Sequence, residues 1–337
     1  MKNVDHKEVV ELARDYGVRY AAEVYDVTPR TVRGWRQKLR KENDTFEVED
    51  LPTGELPIKE LIADRINRYE LKTDYMDKTD LINVKIKMNG PIGIAHFGDP
   101  HVDDDGTDLE RLLNHSKLVN KTEGMFAGNV GDVQNNWIGR IAHLYSQQST
   151  SAKDSWRLAE YFISSVPWLY LVGGNHDAWS GTGDPLEWIM SHQGGVYQNF
   201  SVRLNLQFPN KKNVRINSKH DFKGNSMWNT AYGVGRAIQL GARDHILTCG
   251  HTHVSGYQVV KDPSNGLISH GLRIASYKIH DRYAIEKGFP DQNIFMCPVT
   301  IIDPQYDDND PRLITTIFDP YEAADYLTWK RSKHGKN

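Results

Sequence analysis

Apolar positions recur along this chain at two periods. Over the first forty residues the spacing is helical: Val9, Val10 and Leu12, then Ala21, Ala22 and Val24, then Val32, Trp35 and Leu39 predict helices at about 5–16, 19–25 and 29–41. The third has a sharp start, because Thr28 offers a hydroxyl to the first-turn amides and Pro29, lacking an N–H, suits the first helical position. Residues 42–57 are acidic and turn-prone (Asp50, Pro52, Gly54) and read as a linker. A helix at about 58–77 follows, with Ile58, Leu61, Ile62, Ile66 and Tyr69 on one face. Beyond it the period shortens to two. Residues 82–88 read as a strand, Asn89-Gly90 as a tight turn and 92–97 as a returning strand, which predicts a hairpin. Apolar runs at 124–128, 168–172, 214–217, 245–249, 256–260, 297–302 and 313–318 predict further strands, the first of them alternating with helices at about 107–121 and 152–164. The chain thus divides into a small all-α domain (1–43), a linker with one helix (44–80), a core domain (81–320) and a C-terminal tail (321–337).

Charge sharpens that division. Residues 2–41 hold ten Lys or Arg against six Asp or Glu, a balance of +4, which leaves −7 for the remainder of a chain whose total is −3. No run approaches the ~20 apolar residues of a membrane span. The first residues lack the apolar stretch of a secretory signal, so a cytoplasmic protein with no membrane partner is expected. Cys249 and Cys297 are too few for a disulfide framework and form no Cys-x-x-Cys pair; they read as small buried hydrophobes.

Four glycine-led motifs each follow an apolar run: Gly98-Asp99-Pro100-His101, Gly131-Asp132, Gly174-Asn175-His176-Asp177 and Gly250-His251-Thr252-His253. Carboxylate, amide and imidazole side chains placed there would project from strand ends into a crevice. On extended backbone, Asp-x-His and His-x-His would put the first and third side chains on one side. Singly, such motifs are more often turns or caps. Taken in this order, the set resembles the calcineurin-like metallophosphoesterase superfamily, which includes phosphoprotein phosphatases, cyclic-nucleotide phosphodiesterases and exonucleases of the Mre11 and SbcD type. The resemblance spans about residues 91–303.

The resemblance implies an α/β fold, a two-sheet β-sandwich flanked by helices in four layers (α/β/β/α), with metals at one edge. It implies one metal on Asp99, His101, Asp132 and His253, and a second sharing Asp132 and adding Asn175, His220 and His251. Mixed oxygen and nitrogen ligands suit Mn, Fe or Zn better than Mg or Ca, and two Mn ions are the leading expectation. Such a pair can clamp a phosphate and acidify a water for in-line attack. His176 matches the histidine that assists the leaving oxygen, and Asp177 is expected to hold it in position. His220 is the softest match. It is preferred over His192, in an expected helix, and His245, which opens a strand. Asn135, three residues after Asp132, fits as a permissive variant. His96, His115, His143, His270 and His280 match no motif and read as core or surface residues.

Residues 19–36, RYAAEVYDVTPRTVRGWR, resemble a helix-turn-helix of the resolvase, transposase and phage-regulator kind. The resemblance makes DNA the expected partner, with Thr28, Arg30, Thr31 and Arg33 as base readers and Arg36, Lys38, Arg40 and Lys41 meeting phosphates. A protein-interaction module with a solvated cationic face stays open. The combination also looks like bacteriophage metallophosphoesterases that carry such a prefix. Three functions remain in view: a metal-dependent phosphodiesterase acting on DNA, a hydrolase of nucleotides, cyclic nucleotides or phosphoproteins, and a DNA-binding scaffold with a spent catalytic domain.

Overall fold

The computed structural model describes residues 4–42, 56–137, 139–178, 184–226, 228–241, 243–280 and 293–334. The expected linker falls almost wholly on residues outside this set. The chain divides into two compact units, Met1–Tyr69 and Glu70–Asn337.

In the first unit, α1 (His6–Tyr16), α2 (Val18–Val24) and α3 (Pro29–Glu42) form where the periodicity places them. Asp5 caps α1 by accepting from Lys7 N at 2.9 Å, and Thr28 Oγ1 accepts from Thr31 N at 3.1 Å at the start of α3. Val9, Ala13, Ala21, Ala22 and Val32 make a small buried core, with Trp35 packed against it and stacked on His6. Val24 departs from the expectation and is exposed. The next helix, α4 (Ile58–Thr79), buries none of its residues, and Ile58, Leu61, Ile62, Ile66 and Tyr69 lie exposed along it.

The second unit contains two mixed six-stranded sheets. One sheet orders β12 (Ile314–Ile317), β11 (Val299–Ile302), β2 (Ile92–Phe97), β3 (Met125–Asn129), β4 (Trp168–Gly173) and β5 (Val196–Asn199), with β2 to β5 parallel. The other orders β1 (Ile82–Lys85), β6 (Ser201–Gln207), β7 (Asn213–Lys219), β8 (Ile246–Cys249), β10 (Ile268–Arg273) and β9 (Gly256–Lys261). Ile92, Ile94, Val172 and Leu169 of the first sheet pack on Leu204, Leu206, Val214, Ile216, Ile246 and Leu272 of the second. Each such side chain, fully buried, contributes about 1.5–3 kcal/mol.

Outside the first sheet lie α5 (Leu109–Lys121), α6 (Ala152–Ser164), α8 (Pro185–Ser191) and α10 (Pro320–Lys333), which bury Leu112, Val119, Phe162, Ile163, Ile189 and Leu327 against Phe97, Leu171 and Ile301. Outside the second, α9 (Tyr232–Leu240) sets Val234 and Ile238 on Leu247 and Cys249. The result is helix, sheet, sheet, helix. Strands covered on both faces, such as β2, β4, β8 and β11, are buried throughout, whereas β6 and β7 bury only alternate residues. Among the described residues no helix is long and apolar enough to cross a membrane.

One polar chain crosses the apolar interior. His96 on β2 bonds Thr300 Oγ1 at 2.9 Å and Tyr170 OH at 3.1 Å; Tyr170 OH meets Thr248 Oγ1 at 3.1 Å, and Thr248 donates to Ser218 Oγ at 2.8 Å. Burial pushes the His96 imidazole down to about 3, so it is neutral.

Two expectations are corrected. The predicted hairpin does not form, because β1 pairs in parallel with β6 while β2 pairs with β3 and β11 in the other sheet. Gly90, at φ +85°, turns the chain between sheets, and Arg331 of α10 holds that turn through the carbonyls of Asn89 and Pro91. The stretch 321–337, set apart as a tail, is for most of its length α10, capped by Asp319 and packed through Ala323, Ala324 and Leu327.

Candidate metal centre

Five strand ends meet at one edge of the two sheets. Asp99 and His101 follow β2, Asp132 follows β3, Asn175 opens the single turn α7 (Asn175–Ala178) after β4, His220 follows β7, and His251 and His253 follow β8. Glycines give these loops their close approach. A Cβ on Gly174 would sit 2.1 Å from Asp132 Oδ1, and one on Gly131, itself at φ +118°, would sit 2.5 Å from His220 Nδ1.

The convergence does not come from extended backbone, as expected above. Asp99, His101, Asp132, His251 and His253 all have positive φ, between 32° and 69°. Left-handed kinks aim these side chains inward, at a cost of roughly 1–3 kcal/mol each.

Asp132, His220 and His251 form a cluster able to hold a metal ion. His220 Nδ1 donates to the carbonyl of Val130 at 2.9 Å, which turns Nε2 toward Asp132 Oδ2 at 3.2 Å, Asn175 Oδ1 at 2.7 Å and His251 Nδ1 at 3.0 Å. An imidazole fixed through one nitrogen by a backbone carbonyl presents the other as a ligand. A second group lies beside the first, where His101 Nε2 faces His253 Nε2 at 3.2 Å. Asp99 touches both. Its Oδ2 accepts from His251 N at 2.6 Å, its Oδ1 is 3.7 Å from His220 Nδ1, and its charge acts on His253.

The residues fit a cation. Asp99 Oδ1 and His101 Nδ1 are buried with no hydrogen-bond partner among the described residues, a cost of about 1–3 kcal/mol for each unsatisfied group, and more if charged. Protonation equilibria agree. Burial opposes charge on His220, yet Asp132 and Asp99 outweigh it and lift the imidazole to about 10. Burial likewise works against ionised Asp132, but the surrounding imidazoles hold its carboxyl below the usual range. Burial raises Asp99 to about 6. It also lowers His101 and His251, helped by His253 and His220 respectively. Positive charge is favoured between these carboxylates, and a proton on His220 Nε2 supplies it in the metal-free chain.

His176 and Asp177 are placed differently from expectation. The Asp177 carboxylate accepts from Gly174 N at 2.8 Å and Val133 N at 3.1 Å, so it ties two ligand loops together instead of holding His176. Burial, then Asp132, pushes it up to about 8. The imidazole of His176 bonds the carbonyl of Asn135 through Nδ1, and its backbone N–H donates to Asp132 Oδ1 at 3.0 Å.

Sequence reasoning missed Arg273, buried on β10, which donates to Gly250 O at 2.9 Å, Thr252 Oγ1 at 2.7 Å and Asp221 Oδ1 at 3.1 Å. It braces the His251 loop against the residue after His220. Ser276 Oγ likewise donates to Asp99 O at 2.6 Å. Neither sits in a motif. Of the other histidines, His192 ends α8, His245 is buried on Asp308, His96, His115 and His270 are buried, and His143 and His280 are exposed. Both cysteines are buried and free.

In the first unit, Arg30, Arg33, Arg36, Lys38 and Arg40 are exposed on α3. The side chain of Lys41 lies outside the described residues. Thr28 and Thr31 are partly engaged, their hydroxyls 2.8 Å apart.

No protein-family model matches the sequence, and no curated protein does. Solved structures give distant likenesses. The calcineurin-like phosphoesterase YfkN of Bacillus subtilis is 11% identical, with 72% of this chain and 99% of that one covered at a TM-score of 0.35. The NAD nucleotidase NadN of Haemophilus influenzae is 9% identical, with 67% of this chain and 49% of that one covered at a TM-score of 0.34. The chain therefore spans about half the length of the nucleotidase. Likenesses this remote assign no chemistry, which is argued from the side chains.

Proposed function

We propose that the chain is a metal-dependent phosphoesterase with a dinuclear centre that hydrolyses phosphodiester bonds, with DNA as its substrate. The observation that carries this reading is the convergence on His220 Nε2 of Asp132 Oδ2, Asn175 Oδ1 and His251 Nδ1, with the Nδ1 proton tied to Val130. Asp132, Asn175, His220 and His251 would hold one cation. Asp99, His101 and His253, with Asp132 shared, would hold the other. The donor set suits Mn, with Fe or Zn as alternatives.

When bound, the cations supply Lewis acidity toward a phosphoryl oxygen and a water acidified to near neutrality. The chain's own part is to fix these ligands, exclude other partners from them, and offer His176 as the proton donor to the departing oxygen. No covalent enzyme intermediate is needed. Residues 1–43 would serve as a helix-turn-helix that delivers the catalytic domain to DNA in the cytoplasm. In that role Arg30 and Arg33, with Thr28 and Thr31, read bases, and Arg36, Lys38, Arg40 and Lys41 meet phosphates.

The test begins with metal-free protein to which Mn is restored. It is assayed on bis-p-nitrophenyl phosphate and on labelled single- and double-stranded DNA, with Asp132→Ala as the control. Mn-dependent DNA cleavage absent from the variant supports the reading. Turnover of the small diester alone moves the substrate to nucleotides, and no turnover with any divalent metal refutes the hydrolase.

A further inference from the structure

The loop after Asp132 carries a hydrogen-bonded relay whose polarity is fixed at both ends. Asp103, only 1% exposed, accepts from Asn135 N at 2.8 Å and from Gln148 Nε2 at 3.0 Å. Gln148 Oε1 in turn accepts from Trp137 Nε1 at 2.8 Å and from Asn135 Nδ2 at 3.0 Å. An indole nitrogen can only donate and an ionised carboxylate can only accept, so the amide of Gln148 has one orientation that satisfies both. Asn135 Nδ2 is also held by Asp104 Oδ2 at 2.8 Å, and Asn135 is fully buried.

Both residues hung on Gln148 touch His176. The carbonyl of Asn135 receives its Nδ1, and the indole of Trp137 lies edge to face with its ring at 5.2 Å. Asp177, the residue next in sequence, makes no such contact, since its carboxylate is spent on the amides of Gly174 and Val133.

We infer that Asp103 is a positioning residue for His176: acting through Gln148, Asn135 and Trp137, it fixes the imidazole in the Nδ1–H tautomer and directs Nε2 toward the reacting bond. This rests on the role given to His176 above. A carbonyl can only accept, so Nδ1 must carry the proton, and a proton exchanged with substrate passes through Nε2. Without the relay, the carbonyl of Asn135 would be free to turn, and displacements of ~1 Å in a catalytic group can cost ~100-fold.

The variants are Asp103→Asn, which sets an amide against Gln148 Nε2, and Gln148→Ala, a half-buried position whose truncation leaves Asp103 in place should the first fail to fold. The first readout is ¹⁵N spectroscopy of the zinc-loaded, histidine-labelled full chain, with His176 assigned by His176→Gln. The wild type should show the Nδ1–H tautomer, and both variants a mixture. The second compares kcat on an alkyl phosphodiester, whose leaving oxygen needs a proton, with kcat on bis-p-nitrophenyl phosphate, whose leaving group does not. Loss of positioning should cut the first about tenfold or more, part of the ~10²–10⁴ that general acid catalysis supplies in full, and leave the second and both KM values nearly unchanged. Equal losses on both diesters, or an unaltered tautomer in both variants, would overturn the inference. A wild type that binds zinc yet turns over neither diester would sink the phosphoesterase reading instead, while the tautomer measurement would still decide the positioning.

Discussion

The three N-terminal helices and the loops at the strand ends obey opposite rules. In the helices the end signals agree with the fold: Asp5 and Thr28 cap, Gly17 takes φ +94° at a helix end, and Pro29 opens α3. In the loops, Asp99, His101, Asp132, Asn136, His251 and His253 take positive φ without being glycine, and buried polar atoms lack partners. Strain of that kind persists only where surrounding structure over-determines it, and it gathers where chemistry is done. Asp26, Phe200, Lys211 and Arg243 break the same rule singly, but only around the candidate site do such residues gather.

The sharpest way to break this comparison is one substitution made in both regions. Gly174→Ala puts a methyl 2.1 Å from Asp132 Oδ1. It should reduce metal affinity, read by calorimetry, by more than the ~10–100-fold expected of outer-sphere partners. Retained binding would show that the loop is not held as described. Arg273→Met should lower metal affinity within that ~10–100-fold range, by loosening the loop of His251 from Asp221.

Acid should act on the loops next. In the metal-free chain His220 holds a proton up to about pH 10, and it must leave for Nε2 to bind metal. Affinity should therefore rise with pH, about tenfold per unit below that value. It should fall more steeply below about pH 6, where Asp99 must also deprotonate. Chelator competition across pH 5–9 measures the slope, and a flat profile would contradict it. The smallest effects belong to the helices. A Cβ on Gly34 meets nothing within 4 Å, so Gly34→Ala should stabilise α3 by about 0.8–1 kcal/mol. Thr28→Ala should cost about 1 kcal/mol through the lost cap. Hydrogen exchange of α3 amides reads both, and catalysis should change in neither.

The same contrast explains what was legible in the sequence. Caps and helical periods are local, so α1 to α3 could be placed to within a residue or two. Four of the five candidate loops drew notice because each pairs an apolar run with a glycine and a side chain able to coordinate, whereas no glycine leads into His220. Pairing partners were not legible, since Asn89-Gly90 announces a turn without saying which sheet each flank joins. Strand β6 was missed although Val202, Leu204 and Leu206 alternate along it, and β10 hides behind His270, Gly271 and Arg273. Nothing near Arg273 or Gln148 marks them, because Gly250, Thr252 and Asp221 for the one, and Asp103, Asn135 and Trp137 for the other, lie more than ten residues away in sequence. The contact of Asp177 with His176, expected from the family resemblance, is replaced by bonds from its carboxylate to the amides of Gly174 and Val133.

The proposed ligands come from both sheets, with Asp99, His101, Asp132 and Asn175 on one and His220, His251 and His253 on the other. Hydrocarbon faces can slip past one another by a fraction of an ångström at little cost, whereas a directional hydrogen bond between the sheets cannot. The chain from His96 through Tyr170 to Thr248 and Ser218 therefore works as a dowel. It sets the gauge between two half-sites that no backbone ladder connects, well behind the edge where they meet.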